Sequence, residues 1–324
     1  LTSIVLELLA WSATPIRTLR TIMTRISTTL PMTQAGVPDL TMTQHLENLG
    51  YDAISMPDLI VGDGTPGFDP TLVLAAAATV TDRIGLEFGV LSLPLRPAAW
   101  VATQVQTLQH LSGNRVTLGV GIGGFPGSPF WRAVGAPLQG RGRRTDEALQ
   151  ALPGLIRGEA TKLGEAEVTL GPAAPVPPIL IGGNSEAAMR RAVLHGDGWA
   201  PSLLSPAALG RKAVRLREIA HELGRPVPSI SVGGHAILVD NPAALEQFTR
   251  TLVDVHRLPQ EEADNVPVTG GPEQVAERLH AYAEAGADMV GLSLDGGDWI
   301  RQAETLAEAR ARLSRSRTTQ ADQG

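Results

Sequence analysis

The sequence predicts a (β/α)8 barrel, the TIM-barrel architecture. Short apolar, β-like runs alternate with longer helical patterns along most of the 324 residues. Eight such runs can be counted, with about as many helical patterns between and after them. Several runs are continuously apolar, as parallel strands are when helices cover the sheet. A doubly wound open sheet is the competing architecture, and the count of eight favours the barrel.

Taken in order, the strands fall at residues 25–30, 53–56, 84–91, 115–122, 178–181, 198–200, 229–239 and 289–294. Helical patterns fall at 40–49, 70–80, 98–111, 142–157, 185–194, 206–223 and 272–285, and a last one, 298–313, follows the final strand. Turn chemistry separates them: Asn48-Leu49-Gly50, Ser112-Gly113-Asn114, His195-Gly196-Asp197-Gly198 and Glu284-Ala285-Gly286-Ala287. Three connections are long. Residues 123–139 follow strand 4, 158–177 precede strand 5, and 259–271 lead to the helix before strand 8. Such insertions in a compact domain are usually lids or binding loops, and those after strand C-termini rim a barrel's active site.

Composition narrows the function. With 43% hydrophobic and 19% charged residues, a sizeable core is feasible. The net charge of -6 argues against a nucleic-acid-binding body, and so few aromatic residues, five Trp, two Tyr and five Phe, argue against base-stacking platforms. Zero Cys excludes disulfides, thiolate metal sites and a thiol nucleophile, and fits a reducing, cytoplasmic setting. No run of 18 apolar residues occurs. The apolar start, Leu1 to Trp11, precedes Arg17, Arg20 and Arg25, the reverse of a secretory signal. Residues 1–22 are therefore expected to be an extension outside the core, 23–313 the barrel domain, and 314–324 a disordered tail.

Gly119-Val120-Gly121-Ile122-Gly123-Gly124 satisfies the dinucleotide pattern, but Phe125-Pro126-Gly127-Ser128-Pro129 follows it instead of a helix. A strand ending in glycines so that a flat ligand can approach the backbone is the better reading. Ile179-Leu180-Ile181-Gly182-Gly183-Asn184-Ser185 is a strand, a glycine pair and a helix start. It reads equally as a simple capped helix or as an anion cradle at a helix N-terminus. A Schiff-base lysine is excluded, because Lys162 lies in a connection and Lys212 in a helix. The seven His are scattered, so no metal site is expected. His235, alone on a strand, reads first as a packing residue. Asp58 sits just past strand 2, where barrel site residues belong. So few reactive side chains suggest that an organic cofactor carries the chemistry.

In combination these segments resemble the bacterial luciferase-like monooxygenase family, in its F420-dependent (deazaflavin) oxidoreductase branch. The resemblance runs in order through Asn48–Ile54, Thr81–Leu86, Gly89–Arg96, Leu111–Gly121, Gly140–Glu147, Ile179–Ser185, His195–Trp199 and Gly270–Ala276. It implies a luciferase-like TIM barrel with a flavin-type ring across its C-terminal mouth. It places a non-proline cis peptide at Gly89-Val90, backing the ring, and brings Asp58 to the ring or its ribityl chain, the one residue named for catalysis. Ser92, Gly121, Ile122 and Gly123 would line the ring and tail, and Gly182, Gly183, Asn184 and Ser185 would hold the phosphate. Phe125, Phe130, Trp131 and His235 are assigned to the substrate pocket. Relatives that oxidise alcohols commonly carry His where Leu59 stands, and another frequent His position is Pro97 here. The expected reaction is therefore hydride transfer from reduced coenzyme F420 to an activated C=C or C=N bond of a small molecule, rather than alcohol oxidation. An Arg-rich, Lys-poor composition, suggestive of an actinobacterium, inclines the reading to F420. The alternatives are a monooxygenase using reduced FMN and oxygen, and a non-catalytic flavin-binding barrel. The resemblance also allows for a homodimer and a separate flavin or F420 reductase as electron supplier.

Overall fold

The structure, a computed structural model, describes residues 24–321. Its strands in chain order are β1 (Arg25–Thr28), β2 (Ala53–Met56), β3 (Gly85–Ser92), β4 (Val116–Gly121), β5 (Thr161–Leu163), β6 (Ala166–Val168), β7 (Ile179–Gly182), β8 (Gly198–Ala200), β9 (Ser229–Ile237), β10 (Val268–Thr269) and β11 (Met289–Leu294). Eight of them pair in parallel in the order β1-β2-β3-β4-β7-β8-β9-β11, and β11 returns to β1. The sheet is a closed barrel, and its eight strands are the eight expected.

Helices α1 (Thr41–Asn48), α2 (Pro70–Ala78), α3 (Ala98–Ser112), α5 (Arg141–Ile156), α6 (Glu186–His195), α7 (Pro206–Glu222), α10 (Pro272–Glu284) and α11 (Trp299–Ala321) cover it, with α4 (Pro129–Ala133), α8 (Pro242–Asp254) and α9 (Gln260–Ala263) in insertions. Strand residues alternate between faces. Ile26, Ile54, Leu86, Phe88, Leu118, Val120, Ile181, Trp199, Val232, Val290 and Leu292 point outward and are buried beneath the helices. The expectation for residues 1–22 lies outside the described residues. Helical backbone continues past 313 to Ala321. Among the described residues no helix is long and apolar enough to cross a membrane.

The N-terminal rim of the barrel is fastened by carboxylates. The amides of Ile26, Ile179 and Ile230 donate to Asp52, Asp197 and Asp288 at 2.8, 2.8 and 2.9 Å. Each aspartate belongs to the turn before the next strand round the barrel. Glu47, in the helix after the first strand, accepts from the amides of Ile84, Arg83 and Asp82 at 2.8, 2.7 and 3.1 Å; burial pushes its carboxyl up, and these donors together hold it below the usual range.

The three insertions are not equivalent. Residues 122–140 carry α4 and lie above β4. Residues 240–271 carry α8, α9 and β10, which extends β9 by pairing Val268 with Ala236 and Thr269 with Ile237. Both are on the C-terminal side. Residues 158–178 form the β5–β6 hairpin and run from the end of α5 into β7, so this one belongs to the opposite rim.

Candidate active site at the barrel mouth

The inner wall of the upper barrel is made largely of glycine. Alternation turns Gly89 of β3, Gly119 and Gly121 of β4, Gly182 of β7, Gly233 of β9 and Gly291 of β11 inward. One side chain, Val90, fills the faces of Gly119, Gly121 and Gly182, whereas Gly89, Gly233 and Gly291 lie against Ser55, Ser202 and Ser27. The Gly89-Val90 peptide is cis, as expected, and the ladder between β3 and β4 shifts register there. That bulge lays Val90 across β4 and β7. A methyl on Gly121 would meet Val90 Cγ2 at 3.0 Å, and one on Gly182 would meet it at 2.9 Å. Val90 therefore forms the floor of the mouth, and the glycines are the space it needs.

Asp58 is almost wholly buried and anchors the next segment. Arg96 grips it with two donors, Nη1 to Oδ2 at 2.6 Å and Nη2 to Oδ1 at 3.1 Å, and the Ser92 amide donates to Oδ2 at 2.9 Å. Asp69, the N-cap of α2, lies 3.6 Å from the same guanidinium. This clamp ties the β2 exit to the turn at Leu93–Leu95 that leaves β3. Both oxygens of Asp58 are engaged, so its carboxylate positions the wall instead of standing free in the mouth.

At the exit of β7, Gly183 has φ of 116°, a conformation open to glycine. The Asn184 side chain is spent on a reciprocal bridge to the Ser202 backbone, at 2.8 and 3.0 Å, and Lys212 Nζ donates to the Asn184 carbonyl at 3.0 Å. Trp199 Nε1 donates to the Gly183 carbonyl at 2.8 Å. Ser185 caps α6 by accepting from the Ala188 amide at 3.2 Å. The corner is thereby held rigid, while the first amides of α6 have no preceding turn to satisfy them. Such a corner suits a phosphate.

The aromatic residues of the first insertion part company. Trp131 is 2% exposed, packed under Gly123 and beneath the Arg141 guanidinium, 5.8 Å from its ring centre. Arg141 also donates to the Gly123 carbonyl at 2.8 Å. Phe130 is half-buried, and its amide donates to the Val61 carbonyl at 3.0 Å, joining this insertion to the loop after Asp58. Phe125 is 51% exposed, and Ile122 is also exposed.

Across the mouth, His235 near the end of β9 pairs in register with Ser293 of β11. Its Nδ1 lies 2.6 Å from Oδ2 of Asp295, just past β11, and its ring packs on Phe248 of α8 with centroids 4.6 Å apart. Below the floor, Glu87 of β3 is 7% exposed. Ser55 Oγ donates to its Oε1 at 3.0 Å, and Oε2 has no partner. Burial pushes this carboxyl up to about 7, with the Ser55 bond and the field of Arg25 opposing it. Arg96, Arg141, Asp295 and Glu87 were not singled out in the sequence. Arg96 and Arg141 did fall within segments that carry the resemblance, and Asp295 ends a strand, which is a usable signal.

A family model described as luciferase-like monooxygenase matches residues 38–289. The chain belongs to that family. Uncharacterized proteins of Mycobacterium tuberculosis and Mycobacterium bovis are 33% identical over 257 residues, covering 70% of this chain and 85% of theirs. An F420-dependent secondary alcohol dehydrogenase, solved with an F420-acetone adduct, superposes with a TM-score of 0.74 at 15% identity, covering 88% of this chain and 98% of that one. The oxygenating constituent of 3,6-diketocamphane monooxygenase from Pseudomonas putida, a type II Baeyer-Villiger monooxygenase in complex with FMN, gives 0.69 at 18% identity, covering 90% and 97%. This luciferase-like barrel thus has the fold of both F420-dependent and FMN-dependent enzymes.

Proposed function

We propose that this luciferase-like barrel is an oxidoreductase that holds reduced F420 across its mouth and serves hydride transfer to a small organic substrate with an activated C=C or C=N bond. The observation that carries the reading is the glycine wall floored by Val90, next to a rigid corner that presents helix amides. A tricyclic ring needs a wall without side chains, and a phosphate needs donors at fixed positions. Gly89, Val90, Ser92 and Gly121–Gly123 would hold the ring and tail, with Asp58 keeping Ser92 in place through its bond to the amide. Gly182, Gly183, Asn184 and Ser185 would hold the phosphate. When bound, F420 supplies a two-electron hydride. The chain's own residues orient the reactants and exclude water, with Trp131 and Arg141 closing the side under the first insertion. The mycobacterial relatives accord with the Arg-rich composition, and a cytoplasmic setting belongs to the same reading.

The second reading is a monooxygenase using reduced FMN, favoured by the FMN-bound neighbour and by a glycine wall that accepts either ring. That reading requires a reductase as electron supplier. Titrating the protein with F420 and with FMN, followed by tryptophan fluorescence, separates the two. Tighter F420 binding and turnover of enones or imines with reduced F420 are expected. Tighter FMN binding overturns the assignment, and turnover with neither carrier leaves a binding barrel.

A further inference from the structure

Reduction of a C=C or C=N bond needs more than a hydride. The hydride brings two electrons to one carbon, the π pair moves to the neighbouring atom, and that atom must take up a proton. The groups nearest the floor do not present one to the mouth. Asp58 is locked by Arg96 and the Ser92 amide. Glu87 is buried beneath the floor, bonded to Ser55. Lys212 is bonded to the Asn184 carbonyl.

His235 and Asp295 have the required form. They leave adjacent strands, β9 and β11, at the C-terminal end where barrel enzymes place reacting groups. The short Nδ1 contact makes Asp295 the acceptor of the Nδ1 proton and so fixes the tautomer, which leaves Nε2 as the working nitrogen. Phe248 of α8 packs against the ring from the other side and limits its rotation. The histidine side chain is still 35% exposed, so it can exchange protons with solvent. Asp295, just past β11, is the carboxylate that holds it. Ser293 flanks it on the same strand, and the extension of β8 presents Ser202 next to Gly233.

We propose that His235, held by Asp295, is the proton-transfer residue of the mouth. In the reducing direction, imidazolium Nε2 gives its proton to the atom beside the carbon that has received the hydride. The substrate is reduced by two electrons and two hydrogens, the hydride carrier is oxidised, and the imidazole recovers its proton from solvent. The substrate class this selects is a C=N bond or a conjugated enone, in which the neighbouring atom becomes basic as the hydride arrives. This inference rests on the proposed function.

The test has one readout free of turnover. Nitrogen-detected NMR of histidine-labelled protein without cofactor should show His235 protonated at Nδ1 in its neutral form, and Asp295→Ala should release it to a mixture of tautomers. Protonation at Nε2 in the wild type would overturn the proposal. With reduced F420 and cyclohexenone or pyrroline, His235→Gln should lower kcat about 100-fold or more, the span of general acid catalysis, with F420 affinity within twofold. Asp295→Ala should cost about tenfold in kcat by freeing the ring, and Asp295→Glu should restore much of it. If His235→Gln binds F420 normally and turns over within threefold of wild type, His235 is a packing residue and the site assignment stands. If the wild type binds no F420, the proposed function itself has failed.

Discussion

Glu87 concentrates an electrostatic cost in one side chain. Its folded value of about 7 lies above the ordinary glutamate value, because burial inside the barrel penalises the charged form and Oε2 has no protein partner to offset it. The folded state therefore holds the proton more tightly than the unfolded chain. Its contribution is fully present below the ordinary carboxyl range and is lost as pH rises through about 7. Urea unfolding should show stability falling by about 3 kcal/mol across that window, and Glu87→Gln should flatten the slope. A slope unchanged in the variant would mean that another group titrates. The Asp58–Arg96 pair behaves differently, since each charge is matched. Asp58→Ala leaves a guanidinium that is 14% exposed with only the 3.6 Å contact to Asp69 and unpairs the Ser92 amide, and should cost about 3 kcal/mol in the same measurement.

At the scale of elements, the mouth depends on β3, β4 and β7 fitting one another through Val90. Gly182→Ala places a methyl 2.9 Å from Val90 Cγ2 and 3.1 Å from Cγ1, so Val90 must move into the mouth. F420 affinity should fall about tenfold or more, with a stability loss of about 1–3 kcal/mol for the overpacking. Adding Val90→Ala should recover stability, and affinity unaltered by Gly182→Ala would remove Val90 from the floor. This fit also shows which parts of the fold were readable. The eight barrel strands were legible because each buries an apolar outward face, and the glycines because few structures need so many at strand ends. The β5–β6 hairpin was not, since Thr161–Leu163 and Ala166–Val168 are largely exposed and carry no apolar pattern. Helix α8 was missed although Asn241-Pro242 is a cap followed by a first-turn proline, with Asn241 accepting from Ala244 at 3.1 Å. Arg96 is 38 positions from Asp58 and Asp295 is 60 from His235. Spacing along the chain says nothing about partners that only barrel closure brings together.

Across the whole molecule, the two rims divide the work. The C-terminal rim carries the Val90 floor, the first amides of α6 and the His235 ring, whereas the N-terminal rim is closed by aspartates whose oxygens take strand amides. Asp197 is the fullest case. Its carboxylate accepts from Ile179 at 2.8 Å, its amide donates to the Ile179 carbonyl at 2.8 Å, and its carbonyl accepts from the Ser229 amide at 3.0 Å, so one residue joins β7, β8 and β9. The hairpin insertion shares that rim, away from the mouth that the insertions bearing α4 and α8 overlie. Asp197→Ala leaves the buried Ile179 amide unpaired and should cost about 1–3 kcal/mol in urea unfolding. Because the opposite end of the barrel is untouched, F420 affinity below the melting range should stay within twofold of wild type. Loss of affinity in a variant that is still folded would mean that the two rims are coupled through the barrel, and the separation of stability from binding would fail.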